Sequence, residues 1–141
     1  MGQTPPRIVT EPAGLSVPVG GAFSLTIVAT GNPPLSYQWH FGGKPIVGAT
    51  RLAYEVSQAQ TTDGGDYQVV VSNPVGSVTS VVARVVVGYQ LQVEVRPSGT
   101  VQLQPSRSVY EPGEVVQLTA LAQADRAFLR WEGDGQGAAN P

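Results

Sequence analysis

Apolar and polar residues alternate along most of this chain, with a period of two. Phe23, Leu25, Ile27 and Ala29 interleave with Ser24, Thr26, Val28 and Thr30 before Gly31-Asn32-Pro33-Pro34 breaks the run. Tyr37, Trp39 and Phe41 interleave with Gln38 and His40, and Gly42-Gly43-Lys44-Pro45 turns the chain. Leu52, Tyr54 and Val56 form a third run. Tyr67, Val69 and Val71 follow an Asp/Gly turn, and Val81, Ala83, Val85 and Val87 form the last run of this half. Alternation of this kind places one face of each strand in a core and the other in water. Turn residues recur about every 8–12 residues, the spacing of an all-β sandwich. Beyond Gly88 a second pattern predicts strands at Leu91/Val93/Val95, Val101/Leu103 and Val116/Leu118/Ala120. Glu111-Pro112-Gly113 is a turn with proline preset at its first corner. Phe128, Leu129 and Trp131 form the last apolar cluster, and residues 132–141 continue without a strand pattern.

The boundary between the patterns falls at 87–89. The sequence therefore predicts two units, 5–87 and 89–141, with almost no linker between Val87 and Leu91 and a stiff junction as a consequence. The second unit does not repeat the first.

Composition fits many short strands. Of 141 residues, 17 are glycine and 12 proline, and only 13% are charged, about half the usual share. Net charge is −2, and the eight basic residues are scattered, so the basic stripe that nucleic-acid binding needs is missing. No apolar run approaches the ~20 residues of a membrane-spanning helix. Met1-Gly2-Gln3-Thr4-Pro5-Pro6 has neither the charged start nor the apolar centre of a secretion signal. With no cysteine, disulfides, thiolate catalysis and cysteine-based zinc sites are all removed.

Five segments, in order, carry a resemblance. Leu25–Pro34, Tyr37-Gln38-Trp39, Gly43-Lys44-Pro45-Ile46, Asp63-Gly64-Gly65-Asp66-Tyr67-Gln68-Val69 and Ser72-Asn73-Pro74-Val75-Gly76 resemble strand B, strand C, the turn after it, the start of strand F and the F–G turn of an immunoglobulin domain. The likeness is to the I-set-like, cysteine-free form found in large bacterial surface and secreted proteins. It implies an antiparallel β-sandwich over 5–87, with Trp39 buried and Tyr67 as the tyrosine corner. Trp39 lies twelve residues after Ile27 and Tyr67 two before Val69, so Ile27 and Val69 occupy the two cysteine positions of the pattern. A disulfide there would contribute roughly 4 kcal/mol by the chain-entropy model. Two buried aliphatic side chains contribute about 1.5–3 kcal/mol each, so the exchange is near break-even.

Residues 89–141 resemble the divergent internalin-B-type repeat, a small β module. The resemblance is carried by Gly99-Thr100-Val101, Tyr110–Ala120 and Phe128-Leu129-Arg130-Trp131-Glu132-Gly133-Asp134. That family continues with at least one more strand, so the resemblance implies a module incomplete at its C-terminal end. An open strand edge could then pair with another chain; Tyr110, Phe128 and Trp131 should be core in a complete repeat, whereas in an incomplete one part of that cluster could be exposed.

Candidate chemistry is sparse. His40 is the only histidine, at an outward strand position beside Trp39, and a transition-metal site has little else to build on. Asp63 and Asp66 fall short of the six to eight oxygens that calcium takes; Asp63 suits a cap for the turn before Tyr67, and Asp134 suits a turn. Lys44, the sole lysine, would be the only candidate for an isopeptide bond and lies in a predicted exposed turn. No paired carboxylates or phosphate loop can be assembled, and no serine nucleophile has a base other than His40. The sequence thus predicts no catalytic, cofactor-binding or metal residues. It points to a non-catalytic spacer or adhesion-type module of a large bacterial surface or secreted protein, extracellular, without cofactor, monomeric, and with a protein or glycan ligand. The alternative is an accessory carbohydrate-binding module of an extracellular hydrolase. That reading asks for a planar row of exposed aromatics, whereas Trp39 should be buried.

Overall fold

The computed structural model describes residues 2–95 and 99–122. Its strands are β1 (Arg7–Thr10), β2 (Leu15–Pro18), β3 (Phe23–Thr26), β4 (Val28–Thr30), β5 (Ser36–Phe41), β6 (Lys44–Pro45) and β7 (Ala53–Val56). After a single 3-10 turn at Thr61–Asp63 come β8 (Gly65–Asn73), β9 (Gly76–Thr79), β10 (Ala83–Gly88), β11 (Thr100–Gln104) and β12 (Gln117–Leu121). The architecture is all-β, as the alternation requires.

Up to Gly88 the strands form two layers. One layer holds the pairs β1–β4 and β3–β7. The other runs β2-β10-β8-β5-β6, with β9 also on β8. All pairings are antiparallel except β2 with β10, which run parallel from Val85↔Leu15 to Gly88↔Pro18. β3 and β4 are one predicted strand interrupted at Ile27, whose N–H donates to the Leu52 carbonyl at 3.2 Å. In β5 and β8 the register sets Trp39 opposite Val69 and Phe41 opposite Tyr67.

The core follows the predicted faces. Phe23, Leu25, Ile27, Trp39, Tyr67, Val69, Val71, Ala83, Val85 and Val87 are buried in one cluster, joined by Val17 and Ala59. Trp39 and Val69 are 0% exposed and Ile27 2%, so the positions that hold cysteines in the resembled pattern are filled by packed aliphatic side chains. Tyr67 lies edge-on to Phe23 at 6.0 Å between centroids, and tilted against Phe41 at 4.8 Å and Tyr54 at 5.5 Å.

Two expectations need correction. Leu52 and Val81, read as inward members of their runs, are exposed. Both precede the strands they were assigned to, which start at Ala53 and Ala83, and the pleat fixes facing only inside the ladder. Among the described residues the predicted strand at 91–95 is not formed: Leu91 and Val95 are exposed, and an isolated bridge joins Tyr89 to Tyr110. Alternation marks a possible face, while a strand also needs a ladder of backbone hydrogen bonds. Tyr110, which the sequence left open between core and partial exposure, is 5% exposed. The runs at Val101/Leu103 and Leu118/Ala120 form β11 and β12, which pair antiparallel from Thr100↔Leu121 to Gln104↔Gln117. Phe128, Trp131 and Asp134 lie outside the described residues.

Candidate functional site

Because β2 and β10 are parallel neighbours, the chain reaches the sandwich at one pole and leaves it at the other. Each pole is built from short polar contacts. At the N-terminal pole, Asn32 N–H donates to the Thr4 carbonyl at 3.1 Å and Thr4 N–H donates to Asn32 Oδ1 at 2.7 Å. Asn73 Nδ2 donates to the carbonyls of Thr4 (2.8 Å) and Asn32 (3.1 Å), while its Oδ1 accepts from the N–H groups of Val75 and Gly76. One side chain thus shapes the F–G turn and ties the incoming chain to the B–C turn. The sequence showed Asn73 only as a turn residue.

At the C-terminal pole, Val19 N–H donates to the Gly88 carbonyl at 2.8 Å and Gly20 N–H to the Ala59 carbonyl at 2.8 Å. The Asp63–Tyr67 corner stands beside them. Tyr67 Oη donates to the Asp63 carbonyl at 2.7 Å, and Asp63 Oδ2 accepts the Gln60 N–H at 2.7 Å. Asp63 therefore caps its turn as expected. Burial is the first cause, and the neighbouring Tyr54 and Asp63 the second and third, that push the Tyr67 phenol well above its usual range; burial, then Asp63, raises Tyr54 as well.

The remaining candidates have structural partners. Asp66 accepts from Arg84 at 3.0 Å across the surface. His40 is half-buried rather than fully outward, with Nδ1 3.2 Å from the Gln38 carbonyl. Lys44 is exposed on β6. Among the described residues, no three His, Asp or Glu groups stand together as a metal site, and no buried side-chain nitrogen or oxygen lacks a partner. Open depressions among the described residues include one lined by Ala22, Phe23, Ser24, Glu55, Val56 and Ser57 and another along β11. Neither brings a serine or threonine against His40. No described helix is long and apolar enough to cross a membrane. What the geometry offers is a rigid sandwich with separated poles, loops and strand edges.

Comparisons with known proteins agree with that geometry. Residues 5–73 match the family model of the immunoglobulin domain. Endoglucanase C of Cellulomonas fimi is 33% identical over 88 residues, which are 60% of this chain and 8% of that protein. Tyrosine-protein phosphatase Lar of Drosophila melanogaster is 29% identical over 133 residues, 84% of this chain and 6% of that protein. The chain therefore spans less than a tenth of either relative. Among solved structures, the Titin M10–Obscurin-like 1 Ig complex superposes with a TM-score of 0.56 at 26% identity, covering 64% of this chain and 100% of that one. Fold, family match and neighbours together establish that residues 5–73 form an immunoglobulin-like domain.

Proposed function

We infer that the chain is a non-catalytic structural or interaction module of a large, multidomain, secreted or surface-attached protein of bacterial type, with residues 5–87 as the immunoglobulin-like unit and 89–141 as an internalin-B-repeat-like unit. It spaces neighbouring domains, or presents its loops and edges to a protein or glycan outside the cell. The observation that carries this reading is the parallel β2–β10 pair. A sandwich whose incoming and outgoing strands run the same way adds its full length to the chain instead of folding it back. The relatives support modularity, since this chain matches only a small part of each.

The test is a replacement in the full-length protein. Residues 5–87 are exchanged for an unrelated cysteine-free sandwich of equal length with its termini at opposite poles. Retained activity is the expected result for a spacer; loss despite equal reach assigns the role to this domain's own surface. A second reading, an accessory module of an extracellular hydrolase, is favoured by the match to Endoglucanase C. Tyr89 is the exposed aromatic among the described residues, too few for a stacking row. Pull-down on insoluble polysaccharide decides this reading: retention of the chain favours it, and no retention removes it.

A further inference from the structure

The loop joining β11 to β12 is braced by its own side chains. Tyr110 Oη donates to the Pro105 carbonyl at 3.1 Å and accepts the Arg107 N–H at 3.1 Å. Arg107 pairs with Glu114 at 3.0 Å, and Glu114 Oε2 accepts the Glu111 N–H at 3.0 Å. This braced loop meets the sandwich at the end of β10. Tyr89 and Tyr110 exchange backbone hydrogen bonds in both directions, at 2.8 and 2.9 Å. Val109 and Tyr110 are buried there. Gly88 is buried between them and the sandwich: a side chain at this position would drive its Cβ into the Tyr110 carbonyl oxygen and to within 3.0 Å of Val109 Cγ1. The Gly88 carbonyl meanwhile accepts from Val19 N–H, so the glycine is held from the β2 side as well.

We propose that Gly88 is the socket of an intramolecular lock, in which the Val109–Tyr110 corner seats against the bare Cα of residue 88 and fixes the β11–β12 hairpin to the C-terminal pole of the sandwich. The lock is steric. A glycine is needed because the backbone of Tyr110 occupies the volume a Cβ would take, and the two Tyr89–Tyr110 bonds form only when that approach is possible. Arg84, 3.9 Å from Glu111 with both side chains at least half exposed, adds an outer contact weakened by solvent. The device turns a short connection into a fixed elbow and stands independently of the spacer reading, since it concerns this chain's own geometry.

The test uses the full 141-residue chain and its backbone amide relaxation and hydrogen exchange. In the wild type, amides of 5–88 and of 99–121 should report one common tumbling time. In Gly88→Ala the hairpin should tumble separately, and exchange at Tyr89 and Tyr110 should accelerate on the order of tenfold or more, while Trp39 and Val69 keep their chemical shifts. If Gly88→Ala fails to fold, Tyr110→Ala, which adds no atom to the sandwich, should give the same uncoupling. Arg84→Ala should leave the common tumbling time intact. Independent tumbling in the wild type overturns the proposal. So does unchanged exchange in both Gly88→Ala and Tyr110→Ala, or uncoupling by Arg84→Ala as large as that by Gly88→Ala.

Discussion

Tyr67 shows how one side chain serves both packing and polarity. Its ring fills the space between Phe23, Phe41 and Tyr54, and its hydroxyl satisfies the Asp63 carbonyl at 2.7 Å. Tyr67→Phe keeps the ring and removes the donor. It should cost about 1–2 kcal/mol, read as a lower denaturant midpoint with an unchanged slope. The same residue sets a pH dependence. Burial holds its phenol, and that of Tyr54, protonated in the fold above the ordinary value of 10.0, whereas the unfolded chain ionises near that value. A raised pKa means the contribution to stability is complete below about pH 10 and falls as pH rises through the folded-state value. Melting temperature should therefore be level with respect to these groups near neutrality and decline above about pH 10, less steeply in Tyr67→Phe. An equal alkaline decline in both proteins would remove Tyr67 as a cause. Ile27 and Val69 belong to the same scale. With Trp39 between the layers and its Nε1–H given to the Arg51 carbonyl at 2.9 Å, Val69→Ala opens a cavity that little can fill, and a loss of about 2–4 kcal/mol is expected from chemical denaturation.

At the scale of elements, β9 and β10 both pair with β8 and are separated at Ser80. That serine is buried; its Oγ accepts the Val69 N–H at 2.9 Å and donates to the Val81 carbonyl at 2.9 Å. Ser80→Ala would leave the Val69 amide buried without a partner, at about 1–3 kcal/mol. Faster hydrogen exchange at Val69 should accompany the loss, and unaltered exchange there would contradict the role. No sequence pattern exposed Ser80, because a serine between two valine-rich runs reads as a turn residue. Trp39, Tyr67 and the alternation of β3, β5, β8 and β10 were legible because each strand has one buried face and the period registers it. The ends of runs were less so: Leu52 and Val81 continue the alternation but lie outside the ladder. Gly65 was visible as part of the Asp/Gly turn. Its reason appears only in the fold, where φ is +155° and a Cβ would meet the Phe41 ring at 2.7 Å. Over 91–95 the alternation is present, yet among the described residues no strand forms there and Leu91 and Val95 are exposed. The polar ties of Asn73 could not be read at all, since they join positions 69 and 41 residues apart in sequence.

The whole molecule is defined by where its ends lie. Thr4 is fastened beside Asn73, at the far end of the nine-residue β8. Gly88 lies past Val85, which pairs with Gly65 at the near end of that strand. Nine residues of strand at ~3.3 Å each separate the poles by about 30 Å. The prediction is direct, because the chain holds no native cysteine that would compete for label. With Gln3→Cys and Gln90→Cys, both at exposed positions, pulsed dipolar spectroscopy between the two spin labels should give a narrow distance distribution centred at roughly 30 Å or more. Asn73→Ala removes the ties to Thr4 and Asn32, so it should broaden the distribution from the Gln3 side while leaving the mean long. A mean much shorter than the length of β8 would place both ends at one pole. That outcome would remove the parallel β2–β10 pair, and with it the physical basis for a module that lengthens its parent chain.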